Sequence, residues 1–564
     1  MKFAVLIGLV LFSTAQTATV TVEGTVTDSE LGKPLASVLV RLIGAGTGEP
    51  RTVGESRPVS RATTGTDGRF KLSAPAGEYY LVAQRDGYFG VSQFGQRQSN
   101  VTRKITIDSG QKPPSIDLKL TPGGVITGLV LDGGGVPISR AAIAVMQMSY
   151  RDGSPALVQI RTEDTNERGE YRIYWVPPGE YLVAYNPSSS SVSTPTLVST
   201  SGPQSIQMRT FYPGTLDIPK ARPVSVTPGS EITSVNFGIK TSEVFTVSGK
   251  VINPFAVPDA PSGPSPSLLE LPGFTLVPRG DLGGTDIVMS TFANAAGSVA
   301  DRQKGLFELR SIPAGQYEFF ANINSPSFAV NYAGRMSIDL TNQSLRDITF
   351  SVHPLSELRG RIVRTDNSSN VEKLTVTLSP AENFPVTSRL AAVQPGTVEA
   401  DGTFILKNLM EGSYRVNVSP PPDTFVSDIR QGDQSRYSDG IIRVTGIASD
   451  PIQVTLTPSS SRIAGTAEFS DGKVGTDTTV VLVPDAPLRK NAARYRIARA
   501  DESGHFTITG MAPGAYKLFA WEGAFLSSWL NEGFLAPYEE KGLPVEVTPS
   551  GTISGLHIQT INVR

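Results

Sequence analysis

The side chains that most often do chemistry are scarce. The chain carries 3 His and no Cys in 564 residues, which removes thiolate nucleophiles, disulfides and Cys-ligated zinc or iron–sulfur sites. His353, His505 and His557 stand far apart, with no H-x-x-E or H-E-x-x-H spacing to gather them on one metal. Neither a G-x-S-x-G nucleophile elbow nor a G-x-x-x-x-G-K-[ST] phosphate loop occurs. The 52 Asp and Glu residues hold no pair marked out for glycoside hydrolysis. No catalytic residue, metal ligand or cofactor is therefore expected. Lys plus Arg at 50 nearly balances those acids, a net charge of -2, so nucleic acid is not an expected partner.

Aromatic residues offer a different chemistry. Trp521, Phe525, Trp529, Phe534 and Tyr538 fall within eighteen positions, beside Glu522, Asn531, Glu532, Glu539 and Glu540. Flat rings stack on the apolar C–H face of a sugar, and polar neighbours take its hydroxyls. These five aromatics are the candidate ligand-binding residues. The competing expectation is a strap that buries its rings, and the spacing of Phe525, Leu526, Trp529 and Leu530 suits one turn of packed helix. Smaller aromatic groups occupy the corresponding stretches upstream: Tyr88, Phe89 and Phe94; Phe211 and Tyr212; Phe328 and Tyr332; Phe425 and Tyr437.

The elements that must position these rings are strands. Apolar residues alternate with period two, as in Val38, Val40 and Leu42 or Tyr79, Leu81 and Ala83, and Gly, Pro and Asp-Gly bound each run. One pattern recurs five times: a Gly turn, an aromatic two residues later, then Gly-x-Tyr opening an apolar strand. Its aromatics are Phe70, Tyr171, Phe307, Phe404 and Phe506, and its tyrosines are Tyr79, Tyr181, Tyr317, Tyr414 and Tyr516. The gap between them is nine residues in the first copy and ten in the other four. About fifty residues upstream of each Gly-x-Tyr lies an alternating strand interrupted by Gly24, Gly128, Gly249, Gly360 or Gly465.

This repeat predicts an all-β chain: a tandem array of about five Ig-like or prealbumin-like antiparallel Greek-key β-sandwiches. The expected boundaries are 19–121, 122–241, 242–355, 356–458 and 459–564, with Pro/Ser-rich insertions at 186–205 and 253–272 as surface loops. Residues 1–18 are expected to be a signal peptide: Met1-Lys2, an apolar run from Phe3 to Phe12, then small residues up to Ala18. Export follows from that reading, to an extracellular, periplasmic or outer-surface location. No later window reaches the length of a transmembrane helix.

The order Gly24-Thr25-Val26-Thr27-Asp28, Gly32-Lys33-Pro34-Leu35, Thr66-Asp67-Gly68-Arg69-Phe70 and Pro75-Ala76-Gly77-Glu78-Tyr79, ending at Gly87-Tyr88, closely resembles carboxypeptidase-regulatory-like domains. The second and fifth copies match well, the third and fourth mainly through the Gly-x-Tyr half. The resemblance implies a prealbumin-like or carbohydrate-binding-like sandwich that accompanies enzymes and surface proteins without being catalytic. As a whole, the chain is similar to multi-copy secreted bacterial proteins of this type. The expected function is binding or display, with a polysaccharide recognised through aromatic-bearing loops. Two alternatives stay open: a structural spacer or adhesin-like stalk that binds surface proteins, and an accessory module of an extracellular hydrolase system.

Overall fold

The computed structural model describes residues 19–45, 58–91, 97–187, 205–252, 273–279, 305–324, 331–381 and 393–563, with short gaps inside these ranges that include 523–526. The expected signal peptide, most of both Pro/Ser-rich insertions, Phe94, Phe328 and Phe525 lie outside the described residues. Strands dominate throughout, and the fold is a tandem series of β-sandwiches. Two compact units are formed, one from Met1–Val125 with Thr227–Ser230, the other from Ile126–Val226 with Glu231–Arg564.

The first unit shows the plan. One sheet contains the opening strand Thr19–Asp28, flanked by Arg69–Pro75 and by the closing strand Ile116–Pro122. The facing sheet runs Ser60–Thr63, Leu39–Gly44, Gly77–Gln84, Asn100–Ile107. Alternate residues of both, among them Val22, Val40, Leu72, Leu81 and Leu118, point inward and exclude water from the space between. The second unit holds four further cores of this kind, spanning Ile126–Ile239, Val247–Val352, Leu358–Leu456 and Ile463–Ile558.

Pairing is mostly antiparallel; one parallel pair recurs in every copy, and the fifth adds another, in which Ala520 faces Thr560. In each copy the opening strand runs parallel to the closing strand: Gly24 faces Ile116, Val130 faces Phe237, Gly249 faces Ile348, Gly360 faces Ile452 and Gly465 faces Leu556. Period-two alternation is the same in either direction, so the sequence carries no mark of this.

The glycine of the opening strand has a steric reason. A Cβ on Gly24 would stand 2.0 Å from the Ile116 carbonyl oxygen and 2.5 Å from the Phe70 ring. The equivalent clash at Gly360 is 2.2 Å from the Phe404 ring, and at Gly128 it is 2.1 Å from the Val235 carbonyl oxygen. The repeat's first aromatic thus lies across a strand that has been cleared to receive it. Its second signature residue closes a corner. The hydroxyls of Tyr79, Tyr181, Tyr317, Tyr414 and Tyr516 each donate to the carbonyl four residues upstream, at 3.0, 2.7, 2.8, 2.9 and 2.8 Å.

The unequal gap, nine against ten, is a bulge. Four residues after the first aromatic, the ten-residue copies place Trp175, Ser311, Asn408 and Gly510, with φ of +58, +59, +62 and +66°. Register slips at this point in the third and fourth copies, where two residues oppose one on the opening strand. The first copy has Ala74 there, buried and in regular alternation.

Candidate functional site

Of the sequence-predicted aromatics, Trp521 lies near the end of the Gly-x-Tyr strand Gly514–Glu522 of the last copy, and Trp529, Phe534 and Tyr538 come after it. A strap continues from it: a 3-10 turn at Ser528–Leu530, a short helix at Glu532–Leu535 and a second 3-10 segment at Ala536–Lys541. Asn531 starts the helix, its side-chain oxygen accepting from the Phe534 N–H at 2.9 Å. Trp521 is 0% exposed, Trp529 2% and Phe534 9%. Trp521 stacks between Phe519 and Trp529, with centroid distances of 4.9 and 6.3 Å, and Phe534 and Tyr538 close around it at 5.8 and 6.3 Å. The strap brings four of the candidates together as a satellite core with Val481, Val483 and Leu535. Tyr538, at the rim of that core, is the partly exposed ring of the four.

Two of the polar neighbours, Glu539 and Asn531, are engaged in the same packing, whereas Glu532 and Glu540 are exposed. Glu539 takes both guanidinium nitrogens of Arg489 at 2.9 Å and the Lys517 ammonium at 2.7 Å. The Arg489 hydrogen bonds, supplemented by Lys517, overcome partial burial and hold the Glu539 carboxyl down at about 2. Asn531 donates to the Gly153 carbonyl at 2.9 Å, and the Phe534 ring meets Tyr150 edge-on at 5.6 Å. Both partners belong to the hairpin formed by Ala142–Arg151 and Ser154–Asp164 in the second sandwich. The strap therefore receives another part of the same compact unit.

The upstream aromatics are also largely internal. Phe89, Phe211 and Phe425 are buried. Tyr437 receives a hydrogen bond from Arg494 at 3.1 Å, and its backbone carbonyl accepts from Asn491 at 2.5 Å. Of the histidines, His557 contacts Glu468 at 2.8 Å, His505 stands exposed near Asp501, and His353 pairs in a short strand with Ala333. Among the described residues no group of three or more His, Cys, Asp or Glu could hold a metal ion.

Sequence reasoning missed a different aromatic pair. Tyr174 and Trp175, on the strand Glu170–Val176, are 49% and 47% exposed. They line one open cavity of about 640 Å³ with Gln159, Arg161, Thr162 and Glu163 from the neighbouring hairpin strand. Arg161 donates to the Trp175 carbonyl at 3.3 Å. The Arg172 guanidinium lies 5.0 Å over the Tyr174 ring and is itself held by both oxygens of Glu231. Strict alternation would turn one ring of two neighbours inward. The bulge at Trp175 turns both outward, and the ten-residue gap was its trace in the sequence.

A larger cavity, about 870 Å³, is lined by residues of the third and fourth sandwiches, including Glu318, Arg335, His353 and Glu411. Burial alone would raise the Glu318 carboxyl, but hydrogen bonds from Arg335, Ser337 and Arg279 hold it below the usual range. Its charge is spent inside the protein.

Comparison with known proteins agrees with this architecture at both ends. Residues 21–121 match the carboxypeptidase regulatory-like domain, and residues 461–552 match domain II of polysaccharide lyase family 4. Colossin-A of Dictyostelium discoideum is 21% identical over 406 residues, which is 69% of this chain but 3% of that protein. The chain thus spans a small fraction of this relative's length. Among solved structures, the Bacillus anthracis TIE protein is 12% identical, with coverage of 79% of this chain and 75% of that one and a TM-score of 0.16. A streptococcal ancillary pilin is 13% identical, covering 56% and 99% at a TM-score of 0.19. A minor pilin of Streptococcus agalactiae is 12% identical, covering 43% and 100% at 0.20. The first sandwich is a carboxypeptidase regulatory-like domain, and the sandwiches that follow it repeat its signature turn, aromatic and tyrosine corner.

Proposed function

We propose that this chain is an exported, non-catalytic binding protein that recognises a carbohydrate, and that its second and fifth sandwiches work packed together rather than as separate links of a spacer. The observation that carries the reading is the seat of the second sandwich's hairpin on the fifth sandwich's strap. Tyr150 meets Phe534 at 5.6 Å and Asn531 bonds Gly153 at 2.9 Å, across more than 370 residues of sequence. A stalk gains its length by keeping distant modules apart, and this contact joins them. Export rests on the Met1–Ala18 pattern. The carbohydrate class is supported by the exposed aromatics of the second sandwich and by the match of the fifth to a domain of a polysaccharide lyase family. That match also favours a second reading, an accessory module serving a polysaccharide-degrading enzyme.

Small-angle scattering of the full chain and of a Gly153→Val variant tests the contact between the second and fifth sandwiches. A side chain at Gly153 would collide with Leu530 Cβ at 2.9 Å, and its φ of +79° disfavours Val. The variant is expected to raise the radius of gyration. A rod-like profile unaltered by the substitution overturns the reading. Retention of the full chain on immobilised bacterial and plant polysaccharides tests the ligand class, and absence of any retention defeats it.

A further inference from the structure

The exposed pair on the second sandwich raises a question of backbone strain. Residues with φ near +60° are mostly Gly, Asn or Asp, because a Cβ there crowds the carbonyl. Three of the four bulged copies hold small residues, Ser311, Asn408 and Gly510. The second copy instead places the largest side chain there, at φ +58° and 47% exposed. Neither burial nor backbone preference accounts for Trp175. Residues held in sparsely populated conformations by their surroundings cluster at ligand-binding and active sites, where bulges re-aim side chains.

From this geometry we infer that Tyr174 and Trp175 form a stacking platform for pyranose rings in an uncharged polysaccharide, and so give the carbohydrate reading above, on which this inference rests, its site. The bulge sets two neighbouring aromatics on one face, and Thr162 and Glu163 line the same open cavity with a hydroxyl and a carboxylate for sugar hydroxyls, beside Gln159, whose side-chain oxygen accepts from Asn186 at 3.1 Å. Arg161 anchors the Trp175 backbone through its Nε, so the bulged residue is fixed before any ligand arrives. Arg172, stacked on Tyr174, is already neutralised by Glu231. With that cation paired, and Arg161 set beside Glu163, the surface offers no excess positive charge to an acidic polymer. The chemistry favours neutral rings with equatorial hydroxyls, whose two faces are apolar.

Titration of the full chain with cellohexaose, and with polygalacturonate as the acidic comparator, tests the assignment through Trp175→Asn. Asn stands at the equivalent bulge position 408 with φ +62°, so this variant keeps the backbone and is expected to melt no lower than the parent. Its affinity for cellohexaose is expected to fall roughly tenfold or more, the scale of losing a central aromatic contact. If the parent binds and Trp175→Asn binds equally well, the platform is wrong while the carbohydrate reading stands. A parent that binds polygalacturonate but not cellohexaose overturns the neutral-ligand assignment. If the parent binds neither, nor any polysaccharide in the retention experiment, the carbohydrate reading itself has failed and the platform goes with it.

Discussion

Trp521 and Trp529 stack 15° from parallel with ring centroids 6.3 Å apart, and both are closed to solvent. Coplanar indoles on a surface would suit a sugar chain, but here the same geometry makes a core. With Trp175 they are the chain's 3 Trp, one exposed and two buried, which makes indole fluorescence a direct probe of the two environments.

Trp529→Ala should act on stability. Removing a buried indole leaves a cavity beside Trp521, Phe534 and Leu535, and truncations of this kind cost about 3–5 kcal/mol. The fifth sandwich's calorimetric transition is expected to fall, and Trp521 is expected to become accessible to acrylamide. A variant with unchanged melting would show that Trp529 does not pack as described.

The opening-strand glycine predicts a contrast between two Ala substitutions in one sandwich. Gly24→Ala drives a Cβ against a backbone carbonyl at 2.0 Å, where relief requires the sheet to part. Overpacking of that type costs roughly 1–3 kcal/mol. Gly44→Ala meets nothing within 4 Å and should change stability by about 0.5 kcal/mol at most. Chemical denaturation followed by far-ultraviolet circular dichroism separates the two.

What could be read from the sequence and what could not divide along physical lines. The Gly turn, the aromatic and Gly-x-Tyr were legible because each is a local demand: a positive φ, a ring to cover, a corner to bond. Gly68 shows the first demand, with φ +70° and its carbonyl accepting from Val26 at 2.8 Å. The parallel seat of Ile116 beside Gly24 was not legible, since it depends on strands about ninety residues apart. The strap was half legible. Its aromatics announced themselves, but whether Trp521 faced water or Trp529 depended on a chain path that spacing does not encode. Trp175 was missed because adjacent aromatics in an alternating strand read as one in and one out.

Tyr317→Phe measures the tyrosine corner. The ring is 3% exposed and its hydroxyl donates to the Pro313 carbonyl at 2.8 Å. Phe preserves the packing against Gly315 and strands the carbonyl, so a loss of about 1 kcal/mol is expected. Tyr317→Leu would remove the ring contact as well and should cost more. An unchanged stability in Tyr317→Phe would show that the hydroxyl contributes nothing, and equal losses in the two variants would show that the ring contact adds nothing to it.

Acidification should loosen the strap through Glu539. Its folded-state carboxyl sits near 2 because Arg489, and then Lys517, stabilise the charged form, whereas an unfolded Glu titrates near 4.5. A depressed folded value means that the unfolded chain takes up protons first. The contribution is therefore complete above about pH 4.5 and is lost as pH falls towards 2. The group is partly exposed, with its side chain 33% accessible, so salt should weaken the effect. The expected result is a red shift of Trp521 and Trp529 emission between those pH values, earlier in high salt. Glu539→Gln removes the titrating carboxylate and should abolish that pH dependence, at the expense of a strap already weakened at neutral pH. An unaltered acid transition in this variant would assign the loosening to other carboxylates.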